Sequence, residues 1–190
     1  TTRGSINMPT ATKKMAANMK PIRDDIVVTH EPYVQRYPIT KQPDTEVYFL
    51  NDDAKAVIHV GDSKEGWVDA LRTFFTLHTR PDLDNLKEIG IFYDYVRPKG
   101  ARLATFGGTA SGYEPLRDMF DGIDKVIRGE LDPSLEPPER VDASRVQLRP
   151  VHMLDIGNLI GNNVVVGGVR RTAEIFLFDE DDYEALIRGK

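Results

Sequence analysis

Three observations predict an α/β fold for this chain of 190 residues. Apolar runs of strand length alternate with longer segments whose apolar residues recur at helical spacing. A buried-strand pattern over residues 89–96 is followed by a charged loop and a glycine-rich row. A proline then stands where a new amphipathic segment begins, the position a helix start favours.

Each element follows from its own residues. Residues 1–45 carry Pro9, Pro21, Pro32, Pro38 and Pro43 and no long apolar period, so they read as an irregular arm with one short strand near Ile26, Val27 and Val28. The regular part, residues 46–190, opens with strands at 46–50 and 56–60. GDSKEGW, residues 61–67, starts a helix, with Asp62 as the expected N-cap and Glu65 closing a capping box. Trp67, Val68, Leu71, Phe74 and Phe75 form its expected buried face, and Pro81 ends it. Leu116, Met119, Phe120, Ile123, Val126 and Ile127 form the stripe of the helix that begins at Glu114 and Pro115. Residues 129–150 read as a proline-rich connection. A helix over 151–165, a strand over 172–178 and a last helix over 179–187 complete the chain.

Composition narrows the function. A net charge of −5 argues against a duplex nucleic-acid surface, which needs a basic stripe, but leaves single nucleotides open. No apolar run reaches the ~20 residues of a membrane span, so a cytoplasmic setting is expected. The chain has no cysteine, which removes disulfides, thiolate metal sites and cysteine chemistry from it. His30, His59, His78 and His152 show no metal-ligand spacing and read as packing or surface residues.

Four motifs stand out. The row Gly107, Gly108, Thr109, Ala110, Ser111, Gly112 is neither a Walker A loop nor a dinucleotide fingerprint. It fits a tight strand-to-helix turn, or a backbone that a ligand approaches closely at a helix N-terminus. Arg97, Lys99 and Arg102 put three cations on one loop stiffened by Pro98, which suits either a solvated turn or phosphate and base recognition. Asp62 and Ser63 fit a helix cap or a bond to a ribose or base. Arg170 and Arg171 enter the strand at 172–178 and fit a structural ion pair.

GDSKEGW, then VRPKGARLATFGGTASGYEPL, then DIGNLIGNNVVVGGVRRTAEIFLF resemble the catalytic chain of ribonucleotide reductases, nearest the adenosylcobalamin-dependent ribonucleoside-triphosphate reductases. The resemblance covers about residues 46–190. It implies a partial segment of a ten-stranded α/β barrel, with residues 1–45 an arm or a remnant of an inserted effector domain. It implies that Asp62 and Ser63, with Arg97, Lys99 and Arg102, serve a deoxynucleoside triphosphate effector. It also implies that Gly107, Gly108, Thr109, Ala110, Ser111 and Gly112 line the ribonucleotide substrate. The whole enzyme would use adenosylcobalamin and three cysteines, none of which this chain supplies, so no catalytic residue is expected in it and the remaining reductase polypeptide is its expected partner. The alternatives are a non-catalytic deoxynucleotide-binding module and an interaction subunit of a split reductase.

Overall fold

The structure, a computed structural model, describes residues 20–32, 34, 42–103 and 108–165. The expected elements at 172–178 and 179–187, the pair Arg170 and Arg171, and Gly107 lie outside the described residues.

The described chain is mixed α/β. In order, its elements are β1 (Ile22–Arg23), β2 (Val27–His30), β3 (Glu46–Leu50), β4 (Lys55–His59), α1 (Lys64–Thr79), β5 (Glu88–Phe92), α2 (Glu114–Arg128), β6 (Glu139–Arg140), β7 (Arg145–Gln147) and α3 (Pro150–Val165). Four strands form one sheet in the order β2-β5-β4-β3. β5 runs parallel to both β2 and β4, while β3 is an antiparallel edge strand on β4. Parallel neighbours need a crossover, and α1 supplies it between β4 and β5. A second sheet, β1-β7-β6, is antiparallel throughout.

The period-2 geometry of the strands decides what is buried. Ala56, Ile58, Ile89 and Ile91 are fully buried with Phe74 of α1 and the whole expected stripe of α2. Phe74 and Phe120 join the two helices at a ring separation of 5.4 Å. Lys55 spans the opposite face of the sheet, 2.8 Å from Glu88 and 3.6 Å from Glu31. At β5, Val28 and Ala56 flank Ile89 in register, so one apolar layer runs across three strands.

Several expectations change in three dimensions. Part of the stretch read as an arm is built into both sheets. Ile22 and Ile26 are wholly buried, Arg23 donates to Leu83 O at 2.8 Å, and Arg128 holds Asp24 O and Ile26 O. Two strands of two and four residues are too short to show a period. The connection at 129–150 contains the β6–β7 hairpin, and β7 finds its partner in distant β1. The strand expected over 89–96 stops at Phe92, because Val96 N–H turns back to Tyr93 O at 2.9 Å. Val68 is 55% exposed and lies off the buried face of α1.

The helix termini follow ordinary chemistry. Pro115 lies in the first turn of α2, and Gly129 closes that helix in the left-handed conformation at φ +72°. α1 ends before Pro81, with Arg80 N–H bonded to Thr76 O. Its N-cap is Ser63, whose Oγ accepts from Gly66 N–H at 2.8 Å, rather than Asp62. No helix among the described residues is long and apolar enough to cross a membrane.

His78 lies near the end of α1 and is 1% exposed. Its Nδ1 is 2.8 Å from Phe74 O. Burial lowers its pKa from the ordinary 6.5 to about 4. The folded state therefore binds fewer protons than the unfolded state between those values, and stability falls as pH drops from 6.5 toward 4. This group is expected to remove about 2 kcal/mol of stability between pH 7 and pH 5. Denaturant unfolding at both pH values checks it, and His78→Leu should lose that increment.

Candidate functional site

Strand direction gathers the polar chemistry at one edge. β2, β4 and β5 end there with His30, His59 and Phe92, and antiparallel β3 begins there with Glu46. The C-terminal edge of parallel strands is where open α/β sheets bind ligands. α1 starts at this edge and the loop after β5 leaves from it.

Asp62 and Arg97 form the central contact. Arg97 Nε donates to Asp62 Oδ1 at 3.0 Å and Oδ2 at 2.9 Å, its Nη2 lies 2.9 Å from Oδ2, and the Arg97 backbone N–H donates to Oδ1 at 3.1 Å. The Asp62 side chain is 9% exposed and that of Arg97 27%. A carboxylate committed to four donor contacts with Arg97 cannot also cap α1, which is why Ser63 takes that role.

Segment 42–45 roofs the start of α1. Gln42 O accepts from Asp62 N–H at 2.8 Å, and Pro43 O accepts from Ser63 Oγ at 2.7 Å. Thr45 Oγ1 accepts from Gly61 N–H at 3.1 Å and donates to Gly66 O at 2.6 Å. A Cβ on Gly61 would sit 2.3 Å from Pro43 O, and one on Gly66 2.4 Å from it, so both glycines are required by backbone approach.

The cationic loop and the glycine row are two arms of one hairpin. Gly100 N–H donates to Ala110 O, Ala110 N–H to Ala101 O, and Leu103 N–H to Gly108 O, all within 2.8–2.9 Å. Arg102 and Thr109 form the bridge between them, and both side chains are exposed. Gly112 has φ +86°, and a Cβ there would lie 2.4 Å from Glu114 Oε2 and 3.1 Å from Lys99 Cβ. Lys99 thus passes beside the end of the glycine row. Of the residues expected to hold nucleotides, the structure joins Asp62, Ser63 and Arg97 at one point. It places Lys99, Arg102, Gly108, Thr109, Ala110, Ser111 and Gly112 on the adjoining hairpin.

Sequence reasoning missed a third cluster. His59 Nδ1 is 3.0 Å from Asp94 Oδ1, and Asp94 is 4% exposed. The His59 ring stacks on Phe92 at 4.6 Å and meets Tyr95 at 5.5 Å and Tyr48 edge-on at 5.8 Å. Glu46 accepts from Tyr48 Oη at 2.7 Å, Tyr95 Oη at 3.2 Å and Gln42 Nε2 at 2.8 Å. Its carboxylate raises the pKa of Tyr48, and burial followed by Glu46 raises that of Tyr95. His30 lies 2.9 Å from Tyr93 Oη, with its pKa lowered by burial. The available signal was positional: His59 ends one strand, and Asp94 and Tyr95 directly follow its parallel neighbour.

Among the described residues no group of three His, Cys, Asp or Glu side chains is placed to hold a metal ion. The arrangement offers donors, carboxylates and a close-approach backbone, which suits the binding of a polar ligand.

The Asp62/Arg97 contact is expected to show in stability. Asp62→Ala and Arg97→Ala should each cost on the order of 1–3 kcal/mol. The double variant should cost less than their sum by about 1 kcal/mol in a denaturant cycle. Gly112→Ala should cost about 1–2 kcal/mol or more. Gly100→Ala, at φ +87° with open space around it, should cost less, in the same measurement.

Comparison with known proteins extends this geometry. Residues 27–127 match the family model for the B12-dependent ribonucleotide reductase, insertion domain. The adenosylcobalamin-dependent ribonucleoside-triphosphate reductase of Lactobacillus acidophilus is 38% identical over 139 residues, 70% of this chain and 17% of that protein. The enzyme of the same name from Lactobacillus helveticus is 40% identical over 128 residues, 66% of this chain and 15% of that protein. A crystal structure of a B-12 dependent (class II) ribonucleotide reductase superposes with a TM-score of 0.62 at 25% identity, covering 90% of this chain and 22% of the other. The chain therefore spans about a sixth of the length of these curated relatives. With the family model covering more than half of its residues, the chain belongs to the B12-dependent ribonucleotide reductase family.

Proposed function

We propose that this chain is the nucleotide-recognition segment of an adenosylcobalamin-dependent ribonucleoside-triphosphate reductase, an oxidoreductase that converts ribonucleotides to deoxyribonucleotides. One observation carries the reading: the segment shared with those reductases gathers the start of α1, the loop at 97–103 and the row at 108–112 along one sheet edge. Asp62 and Ser63 would hold a deoxynucleoside triphosphate effector, with Arg97, Lys99 and Arg102 reaching its phosphates or base. Gly107 through Gly112 would line the ribonucleotide substrate. Because the two loops share a backbone ladder, a shift of one arm moves the other, which provides a route from effector to substrate. On the same reading the inserted domain takes in the matched residues 27–127, with part of residues 1–45 among them, and any share this chain has in the family's ten-stranded barrel lies outside that span.

The chemistry belongs to the remainder of the enzyme. This chain has no cysteine to carry a radical or a reducing pair. On this reading adenosylcobalamin is held by the rest of the polypeptide.

Titration calorimetry with 2′-deoxynucleoside triphosphates tests the binding role. Saturable, base-selective binding is expected, weakened about tenfold or more in Arg97→Ala. Incubation with a ribonucleotide, adenosylcobalamin and a dithiol is expected to give no deoxynucleotide. Turnover would overturn the assignment of chemistry to other residues, and unaltered binding in Arg97→Ala would return the loop to a solvated turn.

A further inference from the structure

We propose that His59 is a positioning residue for the nucleotide-recognition loop, acting through Asp94. The inference rests on reading residues 97–103 as that loop.

The course of the loop is set where it leaves β5. After Phe92 the chain leaves the sheet, and the tight turn from Tyr93 to Val96 aims Arg97 at Asp62. Asp94 sits inside that turn with its carboxylate almost wholly buried. A buried carboxylate needs a donor, and His59 Nδ1 stands 3.0 Å from Oδ1. Asp94 accepts through that oxygen, so the imidazole carries its proton on Nδ1. Only Tyr95 and Val96 separate Asp94 from Arg97. Holding the Asp94 carboxylate thus helps hold the short turn from which Arg97 reaches Asp62.

The ring of His59 is itself held. Phe92 stacks on it, while Tyr95 and Tyr48 close it from two further elements. Tyr48 and Tyr95 both donate to Glu46, and Glu46 accepts from Gln42. Gln42 in turn takes the Asp62 backbone N–H. Two lines of contact lead from His59 toward Asp62: one runs through Asp94 and the turn that carries Arg97, the other through Tyr48, Glu46 and Gln42. A histidine serving only to fill space needs neither a buried carboxylate partner nor three oriented rings.

Two substitutions separate positioning from packing. In Asn, the side-chain amide nitrogen occupies roughly the place of Nδ1 and can still donate to Asp94. In Gln it falls near Nε2 and cannot. Amide hydrogen exchange is measured on the protein without ligand. In His59→Gln and in Asp94→Asn, the amides of Val96, Gly100, Ala101 and Leu103 should exchange about tenfold faster, with α2 unchanged. His59→Asn should stay near wild type. Equal acceleration in the Asn and Gln variants, or acceleration spread through α2, would overturn the proposal.

A deoxynucleoside triphosphate titration of the same proteins completes the test. Binding weakened about tenfold in His59→Gln and retained in His59→Asn supports the positioning role. Unchanged binding in His59→Gln, with the loop demonstrably loosened, overturns it. If wild type binds no deoxynucleotide, the nucleotide reading fails, while the exchange pattern still decides whether His59 positions the loop.

Discussion

The parallel pairing of β4 with β5 is the constraint on which the rest of the structure depends. Parallel neighbours cannot be joined by a tight turn, so α1 must cross between them and begin where β4 ends. The start of α1 is thereby brought beside the point where the chain leaves β5. Residues 62 and 97 become neighbours without any local signal. β2 joins the same parallel set, and β3 runs back antiparallel, so His30, His59 and Glu46 reach the same edge.

Competition for Asp62 shows how tertiary contacts override local chemistry. Its position before a helix and its spacing from Glu65 are those of a capping aspartate. Arg97 offers that carboxylate a bidentate, partly desolvated ion pair, stronger than a single bond to a backbone N–H. The cap is left to Ser63, whose hydroxyl both accepts from Gly66 and donates to Pro43. One hydroxyl thus stitches the helix to segment 42–45 as well as closing it. The close approach of Pro43 O to Gly61 and Gly66 follows from the same packing.

The glycine row illustrates the other direction. Its composition suggested a backbone something approaches, and much of that approach is internal. Gly108 and Ala110 pair with Leu103, Gly100 and Ala101, and Gly112 turns beside Lys99 into α2. A backbone ladder therefore joins residues 108–110 to the cationic loop as one unit. Arg102 and Thr109 remain exposed on that unit, where a ligand can reach them.

By itself the sequence determined the elements with long, regular periods. The stripe of α2, the crossover helix α1 and its end at Pro81, the strands β3 and β4, and α3 were all legible. So was the order of motifs that marks the family. The sequence marked a short strand near Val27 and Val28, found as β2, but could not reveal that residues 22–30 complete two sheets, that β6 and β7 interrupt a proline-rich connection, or that His59 meets Asp94. Strands of two to four residues carry no measurable period, and their stability comes from partners as distant as Ile22 is from Val146. The pairs His59 and Asp94, and Asp62 and Arg97, are each 35 residues apart. Only the folded sheet, which fixes strand direction and register together, could bring them within hydrogen-bonding distance.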